Sequence, residues 1–164
     1  MIDGVERGLS THWIDHVRKV GDYAIALEIE WNNKDPFFDR DLENFKRLHI
    51  DAAISVGMII TRGKSLQEGL VSLVESYCSL KGVTCPDDLG QHGITRTERQ
   101  SRELARRMMG ETAFSTAFAQ KFVQDKFGSS TTHWEKLAER TRRGAGGSCP
   151  LVLFGIPLQV VTGL

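Results

Sequence analysis

Hydrophobic and polar positions alternate most regularly in YAIALEIEW, residues 23–31. Successive side chains of a strand point to opposite faces, so this alternation predicts a strand over residues 23–31. A shorter strand is predicted around residues 12–18, and Gly21-Asp22 offers the turn between the two. Two nearly continuous apolar runs, AAISVGMIIT and PLVLFGI, predict buried strands over residues 52–61 and 150–156.

Apolar residues at helical spacing predict helices between these strands. The first covers about residues 38–48, and the second covers residues 65–80 with Ser65 as its N-cap. Residues 82–93 are rich in turn residues and predict a loop. Residues 97–127 predict one long helix or two that are broken near Gly110, and a short helix over residues 134–143 follows. This order of elements indicates an α/β fold, a mixed β-sheet core flanked by helices, in one domain over residues 1–164.

Charge is distributed unevenly along the chain, although Lys plus Arg and Asp plus Glu each number 21. Acidic residues dominate residues 28–51, whereas basic residues outnumber them in residues 94–144. An acidic pocket beside a basic surface suits a metal-using enzyme with a polyanionic substrate. The alternative is that charge varies in this way along any soluble chain.

The cysteines and the apolar segments bear on the cellular location of the protein. The three cysteines form an odd set without metal-ligand spacing, which predicts a reduced, cytoplasmic chain. The first twenty residues mix charged and apolar residues, unlike a signal peptide. The longest apolar run is too short and too interrupted to span a membrane, so we expect a soluble protein without a membrane partner.

Two glutamates raise the main question about function. Glu28 and Glu30 lie one residue apart on the predicted strand, so both point to the same face, where like charges repel. A cation would relieve that repulsion, and a third acid would help to hold it. Asp15 can lie across from Glu28 if the first two strands are antiparallel, and Asp22 is a rival in the predicted turn. Carboxylates of this kind suit Mg²⁺; the alternative is a solvated outer face.

Asp15 followed by Glu28-Ile29-Glu30 resembles the D…(D/E)xK signature of the restriction-endonuclease-like fold, with Glu in place of the usual Lys. This ExE variant resembles the BamHI and BglII branch of type II restriction endonucleases, which cleave sites with a GATC core. Five longer stretches, in the same order, also resemble BglII-type restriction endonucleases: STHWIDHVRK, ALEIEWNNKDPFFDRDLENFKRLH, SVGMIITR, FGSSTTHWEKL and GGSCPLVLFGI.

The resemblance implies a Mg²⁺-dependent, site-specific deoxyribonuclease that cuts a palindromic site in double-stranded DNA as a homodimer, alongside a protective DNA methyltransferase in the host. It also implies roles for the acids. Asp15 and Glu28 would bind Mg²⁺, and Glu30 would bind or orient the attacking water or help to hold a second ion.

Two polar segments are candidate DNA contacts. The first comprises Asn32, Asn33 and Lys34, together with Arg40 at the start of the next helix, and these side chains suit base edges and phosphates. The alternative for these residues is turn chemistry plus a surface charge, and for Asn32 and Asn33 the two explanations are equally good. The second is the loop 129–133, in which the candidates are Ser130, Thr131, Thr132 and His133. There the alternative is that Thr131 or Thr132 caps the following helix.

Folds of this kind usually place a helix before the first catalytic strand, and only about a dozen residues precede Asp15. The resemblance therefore predicts a fold that lacks this N-terminal helix. Three alternatives to the restriction enzyme stay open: a truncated, inactive DNA-binding relative, a repair-type nuclease of the same fold, and an interaction domain without a nucleic-acid role.

Overall fold

A computed structural model describes residues 13–109 and 112–162, in which four strands form one mixed sheet. The strands are β1 (His16–Val20), β2 (Tyr23–Glu30), β3 (Val56–Arg62) and β4 (Leu151–Ile156), in that spatial order. β1 pairs with β2 antiparallel, and β2–β3 and β3–β4 are parallel. The predicted α/β fold with a mixed sheet is confirmed. The prediction of a missing N-terminal helix falls on residues 1–12, outside the described residues.

Six helices accompany the sheet in the described residues: α1 (Phe37–Ile50), α2 (Lys64–Lys81), α3 (Asp88–Gln91), α4 (Glu98–Met108), α5 (Phe114–Phe127) and α6 (Trp134–Arg142). Leu158–Val160 forms a short 3₁₀ turn after β4. Of the two forms predicted for residues 97–127, the structure has the pair of helices. The short helix α3 lies within the stretch predicted as loop.

The N-cap predicted for the second helix is wrong. Gly63 is the N-cap of α2 and makes no side-chain capping bond, so the helix begins at Lys64. Ser65 lies inside its first turn, and its Oγ instead accepts a hydrogen bond from the backbone N–H of Leu158 at 3.1 Å. The hydroxyl therefore ties α2 to the turn after β4, a long-range contact that local sequence does not reveal.

Helix α1 packs against the sheet face that carries the two glutamates. Phe38, Leu42 and Phe45 are fully buried in one apolar cluster with Ala26 of β2 and Ile59 of β3. Gly57 of β3 permits the close approach, since a Cβ there would lie 2.4 Å from the Phe45 ring. This packing fixes the position of α1 over the C-terminal end of β2.

A second apolar cluster joins α2, α3, α4 and α5 and includes Cys78, Leu104 and Phe118. All three cysteines are free thiols. Within residues 13–109 and 112–162, no helix is long and apolar enough to cross a membrane.

Candidate active site

Glu28 and Glu30 lie on the buried face of β2, with 2% and 3% of their surface exposed. They follow Ala24 and Ala26 on that face, beneath α1. The alternative of a solvated outer face is wrong. Burial of two carboxylates is costly unless their charge is neutralised or paired. Their burial therefore calls for a proton or a cation at this face.

Asp15 lies beside Glu28, as the predicted antiparallel pairing requires. β1 begins one residue later, with His16 opposite Leu27. The Asp15 N–H donates to Glu28 Oε2 at 3.4 Å, and the Ile29 N–H donates to Asp15 Oδ2 at 2.9 Å. Asp15 itself is exposed, so this pair connects the buried carboxylates to the surface.

A third buried acid, Asp41 of α1, lies beside the two glutamates and is fully buried. Arg40 Nε and Nη2 both donate to Asp41 Oδ1, at 2.9 and 2.8 Å. The same guanidinium approaches Glu30 Oε1 to 3.6 Å, and Asn33 Nδ2 donates to Glu30 Oε2 at 2.9 Å. Arg40, a predicted DNA contact, therefore points at carboxylates in this structure.

The surroundings raise the pKa of both glutamates. Burial, followed by the nearby charge of Asp41, raises the pKa of Glu28 from 4.5 to about 8. Burial is also the main cause for Glu30, whose pKa rises to about 7 although the hydrogen bond from Asn33 opposes the rise. Near neutral pH these carboxyl groups are poised to exchange protons, which is a property of catalytic acids and bases.

The two predicted DNA-contacting segments lie side by side. The Thr132 N–H donates to the Asn33 carbonyl at 2.9 Å, and the Asp35 N–H donates to the Ser130 carbonyl at 3.0 Å. Lys34 and Thr131 form an antiparallel bridge between these bonds. The turn after β2 and the loop before α6 thus form one surface, which we call the paired loops (residues 32–35 and 129–133).

The side chains of the paired loops divide into two groups. Exposed side chains belong to Asn32, Asn33, Lys34 and Ser130. Buried side chains belong to Thr131, Thr132 and His133. The capping alternative is wrong, because His133 is the N-cap of α6 and no side chain caps that helix.

Arg62 lies beneath the loop and is fully buried. Its Nη2 donates to Thr131 Oγ1 at 2.7 Å and to the Thr132 carbonyl, and its guanidinium lies 4.8 Å from the centre of the Phe127 ring. Burial lowers the pKa of Arg62 to about 10. Nε and Nη1 of Arg62 are buried without a hydrogen-bond partner. The loop 129–133 therefore packs on a guanidinium whose contacts are with neutral groups: a hydroxyl, a carbonyl and an aromatic ring.

The chain matches the sequence model of the restriction endonuclease BglII/BglIII family over residues 2–156. It belongs to this restriction endonuclease family. Comparisons with curated proteins and with solved structures find no match. The match includes all of the acidic residues described above and both paired loops, and it supports a nuclease that acts on duplex DNA.

Restriction endonucleases of this kind generally use a divalent metal ion. The described part of the chain has no group of three or more His, Cys, Asp or Glu side chains arranged closely enough to hold a metal ion. The chemistry of the donor set nevertheless fits, since Asp15, Glu28 and Glu30 are oxygen donors and Glu28 and Glu30 are buried. Arg40 Nη2 lies 3.6 Å from Glu30 Oε1, so a positive charge already lies beside one of these donors.

Sequence reasoning missed Asp41 and Arg62. Asp41 had a usable signal, because it lies three residues after Phe38 and four before Phe45 and so falls on the inward face of α1. An acid at such a position is rarely buried without a partner. Arg62 had no comparable signal, since an arginine after an apolar strand ordinarily marks the strand's return to solvent.

Proposed function

We propose that this restriction endonuclease is a type II site-specific deoxyribonuclease that uses Mg²⁺ to hydrolyse phosphodiester bonds at a palindromic site, one with a GATC core as in the BamHI and BglII branch. The observation that carries the proposal is the acidic cluster at the end of β2. Glu28 and Glu30 are buried there on one face, Asp15 contacts Glu28 from the residue before β1, and the cluster lies within the family match.

Each acid has a role in this proposal. Asp15 and Glu28 would hold the metal through their carboxylates. When bound, Mg²⁺ supplies Lewis acidity to a phosphoryl oxygen and lowers the pKa of a water molecule. Glu30 would help to hold a metal ion, or would orient the attacking water and accept its proton, and a pKa of about 7 suits a general base near neutral pH. Asn33 fixes the direction of Glu30 through its 2.9 Å hydrogen bond.

Recognition of DNA is assigned to the paired loops. Asn32, Asn33, Lys34 and Ser130 carry amide, ammonium and hydroxyl groups on the exposed side of this surface. Such groups bind base edges and phosphates. Thr131, Thr132 and His133 are buried, so their part in recognition would be to shape the loop unless it rearranges on DNA.

A palindromic site calls for a two-fold symmetric protein, because each subunit then reads one half-site and cuts one strand. We therefore propose a homodimer of single-domain subunits that works alongside a methyltransferase protecting the host genome. Sedimentation with and without a palindromic duplex would test the dimer.

The first experiment is digestion of unmethylated phage DNA by the purified protein, with Mg²⁺ or with EDTA, resolved on a gel. Discrete fragments that require Mg²⁺ are expected, and their ends would define the site. A continuous ladder would indicate a repair-type nuclease of the same fold. Intact DNA in both lanes, combined with binding to duplex DNA that weakens with salt, would indicate a non-cutting relative.

A further inference from the structure

We propose that Arg40 is a resident counter-cation of the candidate active site and competes with a divalent cation for its carboxylates. The inference rests on the proposed function. Its consequence is that the affinity of the site for metal in the absence of DNA is held low by the protein's own side chain.

The position of Arg40 carries the inference. Its guanidinium is placed between two carboxylates on different elements, bonded twice to Asp41 Oδ1 and 3.6 Å from Glu30 Oε1. Both acids are almost completely buried, whereas 38% of the Arg40 side chain is exposed. The cation can therefore leave toward solvent while the carboxylates stay in place.

The surroundings hold Arg40 without neutralising the site. Its guanidinium carbon lies 4.3 Å from the centre of the Phe37 ring, a cation–π contact that favours the inward position. One guanidinium contacts the carboxyl groups of Asp41 and Glu30, and Glu28 is buried on the same strand face, so the carboxyl groups outnumber the cation three to one. A divalent ion could bind more of these carboxyl groups at once than arginine does, but it must first displace the arginine.

The chemistry of the two cations explains why they compete. Guanidinium and a hard divalent ion both bind carboxylate oxygens, and one Glu30 oxygen cannot serve both at full strength. Removing the charge of Arg40 while keeping its bulk should tighten metal binding by about tenfold, because the pair is near the surface and partly screened.

The test measures Mn²⁺ binding by the full chain without DNA, from the electron paramagnetic resonance signal of free Mn²⁺. Arg40→Met is expected to bind Mn²⁺ more tightly than the wild type, and Arg40→Lys, which keeps the charge, should stay close to the wild type. The matched control is Arg47→Met on the same helix, since Arg47 Nη2 bonds the neutral Asn44 Oδ1 at 3.1 Å. Arg40→Gln is the second variant if Arg40→Met does not fold.

Unchanged or weaker Mn²⁺ binding by a folded Arg40→Met or Arg40→Gln variant overturns the inference. Failure of the proposed ligands has a different signature. If Asp15→Asn and Glu28→Gln leave Mn²⁺ binding intact while Arg40→Met tightens it, the ligand assignment fails and the counter-cation role stands. If wild type and Arg40 variants alike bind no Mn²⁺, the inference falls, and the digestion experiment decides the proposed function separately.

Discussion

The two central strands end in buried ionisable side chains of opposite kinds, acidic on β2 and basic on β3. β2 ends with Glu28 and Glu30, and the guanidinium of Arg40 contacts Glu30 and the nearby Asp41. β3 ends with Arg62, which has no carboxylate partner among the described residues and is held by Thr131 Oγ1 and a carbonyl. One end therefore has more carboxyl groups than cations, and the other has a cation held by a hydroxyl and a carbonyl.

Strand geometry explains why these opposite charges do not neutralise each other. Glu30 lies opposite Thr61 in the parallel register, and Thr61 Oγ1 donates to the Glu30 carbonyl at 2.7 Å. Alternation along β3 then turns Arg62 away from the face that carries Thr61. The acidic end can exchange its cation, whereas the basic end fixes a loop. The two ends thus differ in mobility: Arg40 can leave the acidic end, whereas Arg62 stays buried beneath the loop.

The largest effect is expected at the acidic end. Glu28→Gln keeps the shape of the side chain but removes a proposed metal ligand, so cleavage should fall by roughly 10³-fold or more. Binding of duplex DNA without metal should change little. Initial cleavage rates and a filter-binding isotherm measure the two, with Glu43→Gln on the exposed side of α1 as the control. Joint loss of cutting and binding in a folded Glu28→Gln variant would contradict the assigned role.

At the basic end, the expected effect is on stability. Arg62→Ala removes a fully buried side chain and its bonds to the loop, which should lower the free energy of unfolding by about 3 kcal/mol. Urea denaturation measures this, and Arg143→Ala on the surface of the loop after α6 is the control. An unchanged free energy would mean that desolvation of the guanidinium cancels its contacts.

The acidic end should also make stability depend on pH. The pKa of Glu28 and Glu30 is raised by folding to about 8 and about 7, so the folded protein keeps protons that the unfolded chain has released above about pH 4.5. This stabilisation is complete below about pH 4.5 and is lost as the pH rises through 7 and 8. The melting temperature of the metal-free protein should therefore fall by several degrees from about pH 5.5 to about pH 8.5.

Two additions sharpen the pH experiment. Glu28→Gln has no carboxyl proton to release at position 28, so its melting temperature should depend less on pH than that of the wild type. Mg²⁺ stabilises the ionised carboxylates and should restore part of the loss at high pH. A melting temperature that rises with pH in the absence of metal would contradict the raised pKa values.

The smallest effect is expected between the two strand ends. Thr61→Val removes the hydroxyl that bonds the Glu30 carbonyl but keeps the shape of the side chain, which should lower the free energy of unfolding by about 1 kcal/mol. Thr141→Val is the matched control, since the Thr141 hydroxyl bonds the Leu137 carbonyl within α6. If both variants lose the same free energy of unfolding, the hydrogen bond between Thr61 and Glu30 contributes no more to stability than one within a helix.

Much of the fold could be predicted from local pattern. The alternation in residues 23–31 corresponds to β2, and the apolar runs correspond to β3 and β4, each within a few residues. The proximity of Asp15 and Glu28 followed from one turn and the antiparallel pairing that it imposes. The N-cap at Ser65 was wrong, because its hydroxyl bonds Leu158, 93 positions away along the chain.

The sequence by itself determined which side chains share a strand face, because the period of a strand is a property of the local backbone. It thereby placed Glu28 and Glu30 together and Asp15 near them. Only the tertiary structure decided that this face is buried, that Asp41 and Arg40 complete it, and that two loops 97 positions apart pair at Lys34 and Thr131. Burial and counter-charge depend on which helix packs over the sheet, and this packing sums many weak contacts between residues distant in the chain.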